Sequence, residues 1–327
     1  MKEADMDEIR VENEFAPLRT VVLARSEVMI PEAAADSPDA RFLADDWADN
    51  PVGRDMRDGA PERQAAWERE RERFREVLER HGVRVLRPRA LTRPEKTAAG
   101  SDGYANFFAR DPFFVVGDRV IEASMRFRHR RTEVLPMRDL LMEHVYPADC
   151  GYVAVPAPEI PEPDDPSLGR GPFLEGGDVL VLGDHVFVGY SGLASNLLGA
   201  RWLAKYLEPL GYTVEPVRLH ERILHLDCAL GLVRDGLMVV CEEALLDGVP
   251  RVLREWERIP VDLDRATALA VNGLPIDPRT YVTDPRFEDV GERIRARGVE
   301  VEYVDFSITR SLGGSFRCST QPLLRRS

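Results

Sequence analysis

Apolar and polar positions recur along this chain in one order: an apolar run, a tight polar turn, a second apolar run, a helix-period stretch and a short closing apolar run. PFFVVGDRVIEAS at 112–124 turns at Gly117-Asp118, and DVLVLGDHVFVGY at 178–190 turns at Gly183-Asp184. ALGLVRDGLMVVCEEAL at 229–245 turns at Asp235-Gly236, and the longer ALAVNGLPIDPRTYVTD at 268–284 turns near 275–278. A Gly-Asp or Asp-Gly pair between β-rich runs predicts a hairpin, since these residues tolerate the positive φ of its tight turn.

Helix and strand follow the hairpins most clearly at 197–217 (LLGARWLAKYLEPLGYTVEPV) and 287–304 (FEDVGERIRARGVEVEYV). A matching helix and strand run over 67–88, with Trp67, Phe74, Val77, Leu78 and His81 on one face. Gly82, Gly211 and Gly298 each stand between a helix and a strand, where a C-cap belongs. TVVLA at 20–24 opens this first unit. About five such units predict a closed, propeller-like α/β architecture in one domain over 1–327 rather than two unrelated domains. Residues 29–62 and 155–172 fall outside the pattern and are expected to be surface loops. The charge run ERERERFRE is expected to be the wet face of its helix.

The polar residues sit at equivalent places in the repeat. Arg110-Asp111 stands just before the first complete hairpin, LEGGD with Glu175 and Asp178 before the second, and HLDC with His225 and Asp227 before the third. Cys318 follows the last strand recognised in the sequence, after a Gly-Gly turn in SLGGSFRCST. In a ring of similar units, equivalent loops gather near the axis, so three carboxylates, an imidazole and a thiol are expected to converge. A guanidinium substrate suits them: its planar N–H pairs match carboxylates such as Asp111, Glu175 and Asp227. A thiolate can attack its central carbon to give an S-amidino (thiouronium) species. A bound guanidinium could lower the thiol pKa, and His225 could move the protons. Taken singly each feature has a plainer reading. Arg-Asp-Pro is commonly a turn, His-x-Asp a structural pair or a partial metal site, and a cysteine a small buried hydrophobe.

Composition narrows the field. The net charge of −13 disfavours nucleic acid as a partner and suits a cationic small molecule. MKEADMDEIRVENEF lacks the apolar core of a signal peptide, and no apolar run approaches the ~20 residues that span a bilayer, so the expected location is the cytoplasm. Cys150, Cys228, Cys241 and Cys318 form no CxxC pair, and none of the six histidines lies in HxH or HxxxH spacing, so a metal centre lacks support. Cys241 and Cys228 read as buried hydrophobes. The arginines of MRFRHRR at 125–131, Arg126 and Arg128 among them, fit either a substrate carboxylate or plain surface charge.

ARDPFFVVGDRVIEASMRFRHR, EGGDVL, HLDC and GGSFRC, in this order, resemble the guanidino-group-modifying enzymes: amidinotransferases, arginine deiminases and dimethylarginine dimethylaminohydrolases. The resemblance runs from NEFAPLRTVVLA to LGGSFRCST. It implies a five-bladed pseudo-symmetric ββαβ propeller, the pentein fold. It implies Cys318 as nucleophile, His225 as general acid and base, and Glu175, Asp111 and Asp227 as carboxylates engaging the guanidinium. Asp178 would assist in substrate binding or as a supporting acid. No metal or organic cofactor is implied, and a homodimer is. Ser315 stands where the family commonly has a third glycine. VVGDRVIEASMRFRHR and NLLGARWLAKYL lean toward amidino transfer to an amine. EGGD and VDFSITRSLGGSFRCSTQPL lean toward the hydrolases and deiminases, which use water. Transfer from an arginine-type donor is the favoured reading.

Overall fold

The Gly-Asp and Asp-Gly turns fold as hairpins, and each hairpin recruits a third, parallel strand. The computed structural model describes residues 8–32, 34, 48–159 and 169–326. Phe113–Val116 and Arg119–Glu122 pair antiparallel, with Gly151–Ala154 parallel to the second. Val179–Leu182, His185–Tyr190 and Thr213–Arg218 repeat this arrangement. So do Leu230–Arg234, Leu237–Val240 and Glu257–Pro260, and Leu274–Asp277, Thr280–Thr283 and Glu300–Tyr303. The fifth sheet joins the chain ends, with Thr320–Arg325 antiparallel to Leu18–Leu23, which pairs in parallel with Arg84–Leu86. The short strand Arg10–Val11 flanks the C-terminal strand. The protein is thus a five-bladed propeller whose last blade closes the ring.

Closure corrects one expectation. Cys318 precedes a strand, Thr320–Arg325, that the sequence pattern hid. Pro322 and three polar residues, Thr320, Gln321 and Arg325, interrupt its apolar character, and the register shifts between Pro322 and Leu324, as expected where proline cannot donate to a ladder. Cys318 therefore occupies the same place as Asp111, Glu175 and His225, just ahead of the first strand of its blade.

The blade helix is well developed in three units: Pro61–Arg80, Leu197–Leu207 and Glu288–Arg295. Leu237–Val240 and Glu257–Pro260 are joined instead by single turns at Glu242–Ala244 and Arg251–Leu253. Gly82, Gly211 and Gly298 adopt φ of +77°, +95° and +78°, as helix-ending residues require. On Pro61–Arg80, Trp67, Phe74, Val77 and Leu78 are buried, while His81 lies near the surface 2.8 Å from Glu302. The wet face of that helix is narrower than its charges suggest. Glu70 is buried and caps Ile308 and Thr309 through their N–H groups, at 2.7 and 3.1 Å, and buried Arg71 donates to the Phe107 carbonyl at 2.7 Å.

The segment 29–62 is more than a surface loop. Glu27–Met29 pairs with Tyr104–Asn106, Met56–Gly59 is helical, and Ile30, Ala34 and Met56 are buried in the cluster that contains Cys318. The expectation for 35–47 and for 160–168 lies outside the described residues. Among the described residues, no helix is long and apolar enough to cross a membrane.

Candidate active site

Each blade contributes a loop just ahead of its first strand. These loops bring Asp111, Glu175, His225, Asp227 and Cys318 into one buried constellation, with His225 and Cys318 each 3% exposed. His225 Nε2 lies 2.9 Å from Glu175 Oε2, and Nδ1 lies 3.9 Å from Asp111 Oδ1. Cys318 Sγ is 3.9 Å from Asp227 Oδ2. The fourth blade supplies Asn272, which sequence reasoning missed. Its Oδ1 accepts from the Cys318 N–H and its Nδ2 donates to the Asp227 carbonyl, both at 3.3 Å. Its position two residues before Leu274–Asp277 was the available signal, had the fourth unit been held to the same rule as the others.

The Cys318 loop is fixed by three consecutive side chains pointing in different directions. Phe316 stacks on Phe306 at 4.3 Å and meets Phe74 edge-on at 5.0 Å; burying such a ring contributes about 1.5–3 kcal/mol. Arg317 enters the axis, donating to Asp227 Oδ2 at 2.9 Å and to both Glu14 oxygens at 3.1 Å. Cys318 faces the site. Gly313 has φ +87°, and a Cβ on Gly314 would collide with the Phe108 ring, so the Gly-Gly pair answers two separate steric demands. Ser315 uses its carbonyl to accept from the Ser319 N–H at 3.0 Å and from its hydroxyl at 2.7 Å.

Asp178 lies near His225, and its oxygens accept the N–H groups of Leu226, at 2.9 Å, and Ser195, at 3.2 Å, so it ties the His225 loop to its own. Arg128 pairs with Asp102 at 3.3 Å at the surface, and Arg126 uses its backbone N–H to reach Glu175 Oε1 at 3.1 Å. The arginine of that stretch that enters the site is Arg130, which bonds both Asp111 and Glu175. It was missed because a short helical turn, Arg128–Arg130, and not strand periodicity, aims it inward. Cys228 is buried, its Sγ 3.5 Å from Asp227 Oδ1.

Charge burial sets the protonation states. Burial pushes the His225 imidazolium toward neutrality, but Asp111, the hydrogen bond to Glu175 and Asp178 outweigh it and raise its pKa to about 10. Burial would raise Asp111, yet His225 and Arg130 hold it below the usual carboxylate range. Burial lifts Asp178 to about 7. Burial, then Asp227 and Asp111, push the Cys318 thiol well above its ordinary value. The site at neutral pH is therefore a thiol facing carboxylates, beside an imidazolium able to act as an acid. Among the described residues, no group of His, Cys, Asp and Glu is arranged to hold a metal ion.

Gly177 leaves room that the charged groups occupy. A Cβ there would lie 2.7 Å from Asp111 Oδ1 and 2.8 Å from His225 Nδ1. Gly177→Ala is expected to displace the imidazole and lower kcat about 100-fold, since small misplacements of reacting groups cost that much. Steady-state kinetics of the folded variant check this.

A thiol, an imidazolium and carboxylates gathered at the axis of a five-bladed ring define a guanidino-group-modifying enzyme. The chain belongs to the amidinotransferase family of that class. It is 32% identical over 353 residues to the Streptomyces griseus protein named "Putative inosamine-phosphate amidinotransferase 2", covering 98% of this chain and 97% of that one. Inosamine-phosphate amidinotransferase 1 of Streptomyces glaucescens is 27% identical over 98% of the chain and 97% of its own length. Among solved structures, an amidinotransferase of saxitoxin biosynthesis from Microseira wollei superposes with a TM-score of 0.80 at 21% identity, over 98% of both chains. A dimethylarginine dimethylaminohydrolase from Pseudomonas aeruginosa gives 0.66 at 17%, over 94% of this chain and 99% of that one. These structural likenesses speak to the fold. No family model matches the chain.

Proposed function

We propose that the protein transfers an amidino group from an arginine-type donor to a small amine through an S-amidino intermediate on Cys318. The observation that carries this reading is the convergence of Cys318, a protonated His225 and unevenly occupied carboxylates. Glu175 is taken up by His225, Arg130 and the Arg126 N–H. Among the described residues, Asp227 Oδ1 meets the weak Cys228 thiol donor alone, and Asp111 Oδ1 meets the Gly177 N–H at 2.9 Å. The carboxylates of Asp111 and Asp227, the first beside His225 and the second beside Cys318, offer the seat for the donor guanidinium.

The donor's charge offsets Asp111 and Asp227, which removes part of the penalty on ionising Cys318. Its thiolate attacks the central carbon. His225 protonates the departing amine as the C–N bond breaks, leaving a cationic S-amidino cysteine and a neutral imidazole. That imidazole then takes a proton from the incoming amine, which attacks the same carbon. The thiolate departs and His225 is an imidazolium again; the proton that Cys318 gives up to solvent as the donor binds is regained as the product leaves, which restores the thiol.

The test is turnover of arginine with and without a panel of amine acceptors, followed by mass spectrometry. Ornithine release that depends on the acceptor, with the acceptor gaining one amidino group, is expected. Citrulline from arginine and water alone would replace this reading with hydrolysis on the same scaffold.

A further inference from the structure

The residues that bind Asp111 and Glu175 from inside the protein have a consequence for catalysis. Arg130 is buried and its guanidinium contacts three acids at once. Its Nη1 donates to Glu175 Oε2 at 3.0 Å and its Nη2 to Asp111 Oδ2 at 2.7 Å. Nε and Nη2 also grip Glu133, at 2.8 and 3.0 Å. The geometry of the segment is local: the Glu133 N–H donates to the Arg130 carbonyl at 3.0 Å, and the Arg130 N–H to the Phe127 carbonyl at 3.1 Å. Buried Met125 and Phe127 anchor it.

Glu175 Oε2 is the oxygen that also meets His225 Nε2. One carboxylate oxygen thus receives a fixed guanidinium on one side and the imidazolium on the other. Asp111 uses its other oxygen toward Gly177 and His225. Two neighbouring buried carboxylates would repel each other and turn freely, and a planar fork that reaches both removes the repulsion and fixes both rotamers.

We propose that Arg130 is a positioning residue: its guanidinium locks Asp111 and Glu175, and through them holds His225 in register with Cys318, while Glu133 orients the guanidinium from behind. This rests on the transfer reading above for the identity of the reaction, but not for its test. Turnover by either route, to an amine or to water, reports on Arg130.

Arg130→Ala is expected to fold, to lose about 100-fold in kcat, and to regain part of it when free guanidinium ion at low millimolar concentration is added. Wild type is expected to show no activation by the ion. Arg130→Lys keeps the charge but cannot bridge two carboxylates, and is expected to lose about 10-fold in kcat with an unchanged unfolding midpoint. An Arg130→Ala protein with wild-type kcat would overturn the proposal. So would one whose loss resists guanidinium and tracks a lowered unfolding midpoint. If Arg130→Ala fails to fold, the lysine variant decides: wild-type kcat refutes positioning.

Discussion

Cys318→Ala is expected to abolish turnover, with a loss of about 10⁴-fold or more, because no other described group can carry the amidino carbon. The neighbouring thiol of Cys228 is not expected to substitute, because it contacts Asp227 Oδ1 at 3.5 Å while Cys318 lies by Oδ2. The same change should leave the fold intact, since Phe316 and Arg317 anchor the loop on either side of the axis. Mass spectrometry of wild type held with donor and no acceptor should find one amidino group on the peptide containing Cys318 and none in the variant. Normal turnover by Cys318→Ala would end the nucleophile assignment.

Replacing His225 by alanine should lower kcat by about 10³-fold while donor binding changes little, since Asp111 and Asp227 keep their places. In this variant the adduct on Cys318 should form slowly, because its formation needs a proton for the departing amine. The pH dependence follows from the raised pKa. His225 remains an imidazolium well above neutrality, and the wild-type rate of adduct formation should be lost on the alkaline side only as pH rises through about 10. Stability follows the same sign. A folded pKa above the ordinary value of about 6.5 favours the folded state fully below that value. The gain is lost as pH rises toward about 10, so the urea midpoint of wild type should fall across that window more than that of His225→Ala. Equal pH dependence in the two proteins would contradict the assigned protonation state.

Much of the ring was legible because glycine and aspartate turns are local chemistry. Gly117-Asp118, Gly183-Asp184 and Asp235-Gly236 mark their hairpins without help from the rest of the fold. The fourth hairpin is legible, but its two prolines, Pro275 and Pro278, both signal turns, while the strand runs on to Asp277. The last strand was not legible. Proline, glutamine and arginine within Thr320–Arg325 erase the alternation that marks a strand, and only pairing with Leu18–Leu23 makes it one. Likewise Glu70 and Arg71 look like solvated charges until Phe107, Ile308 and Thr309 close over them.

By itself the sequence determined the repeat, the turn residues, and the ordered set Asp111, Glu175, His225, Asp227 and Cys318, because hydrophobic period and turn chemistry act over a few residues. The tertiary structure decided which partners each of these groups meets. Asp178 accepts two backbone N–H groups and Glu175 meets His225 and Arg130, whereas Asp111 meets Arg130 and the Gly177 N–H, and Asp227 meets Arg317 and the Cys228 thiol. Nothing local could reveal this. A buried carboxylate must find donors wherever the closed ring brings them, and those donors, Arg130 and Arg317, come from different blades.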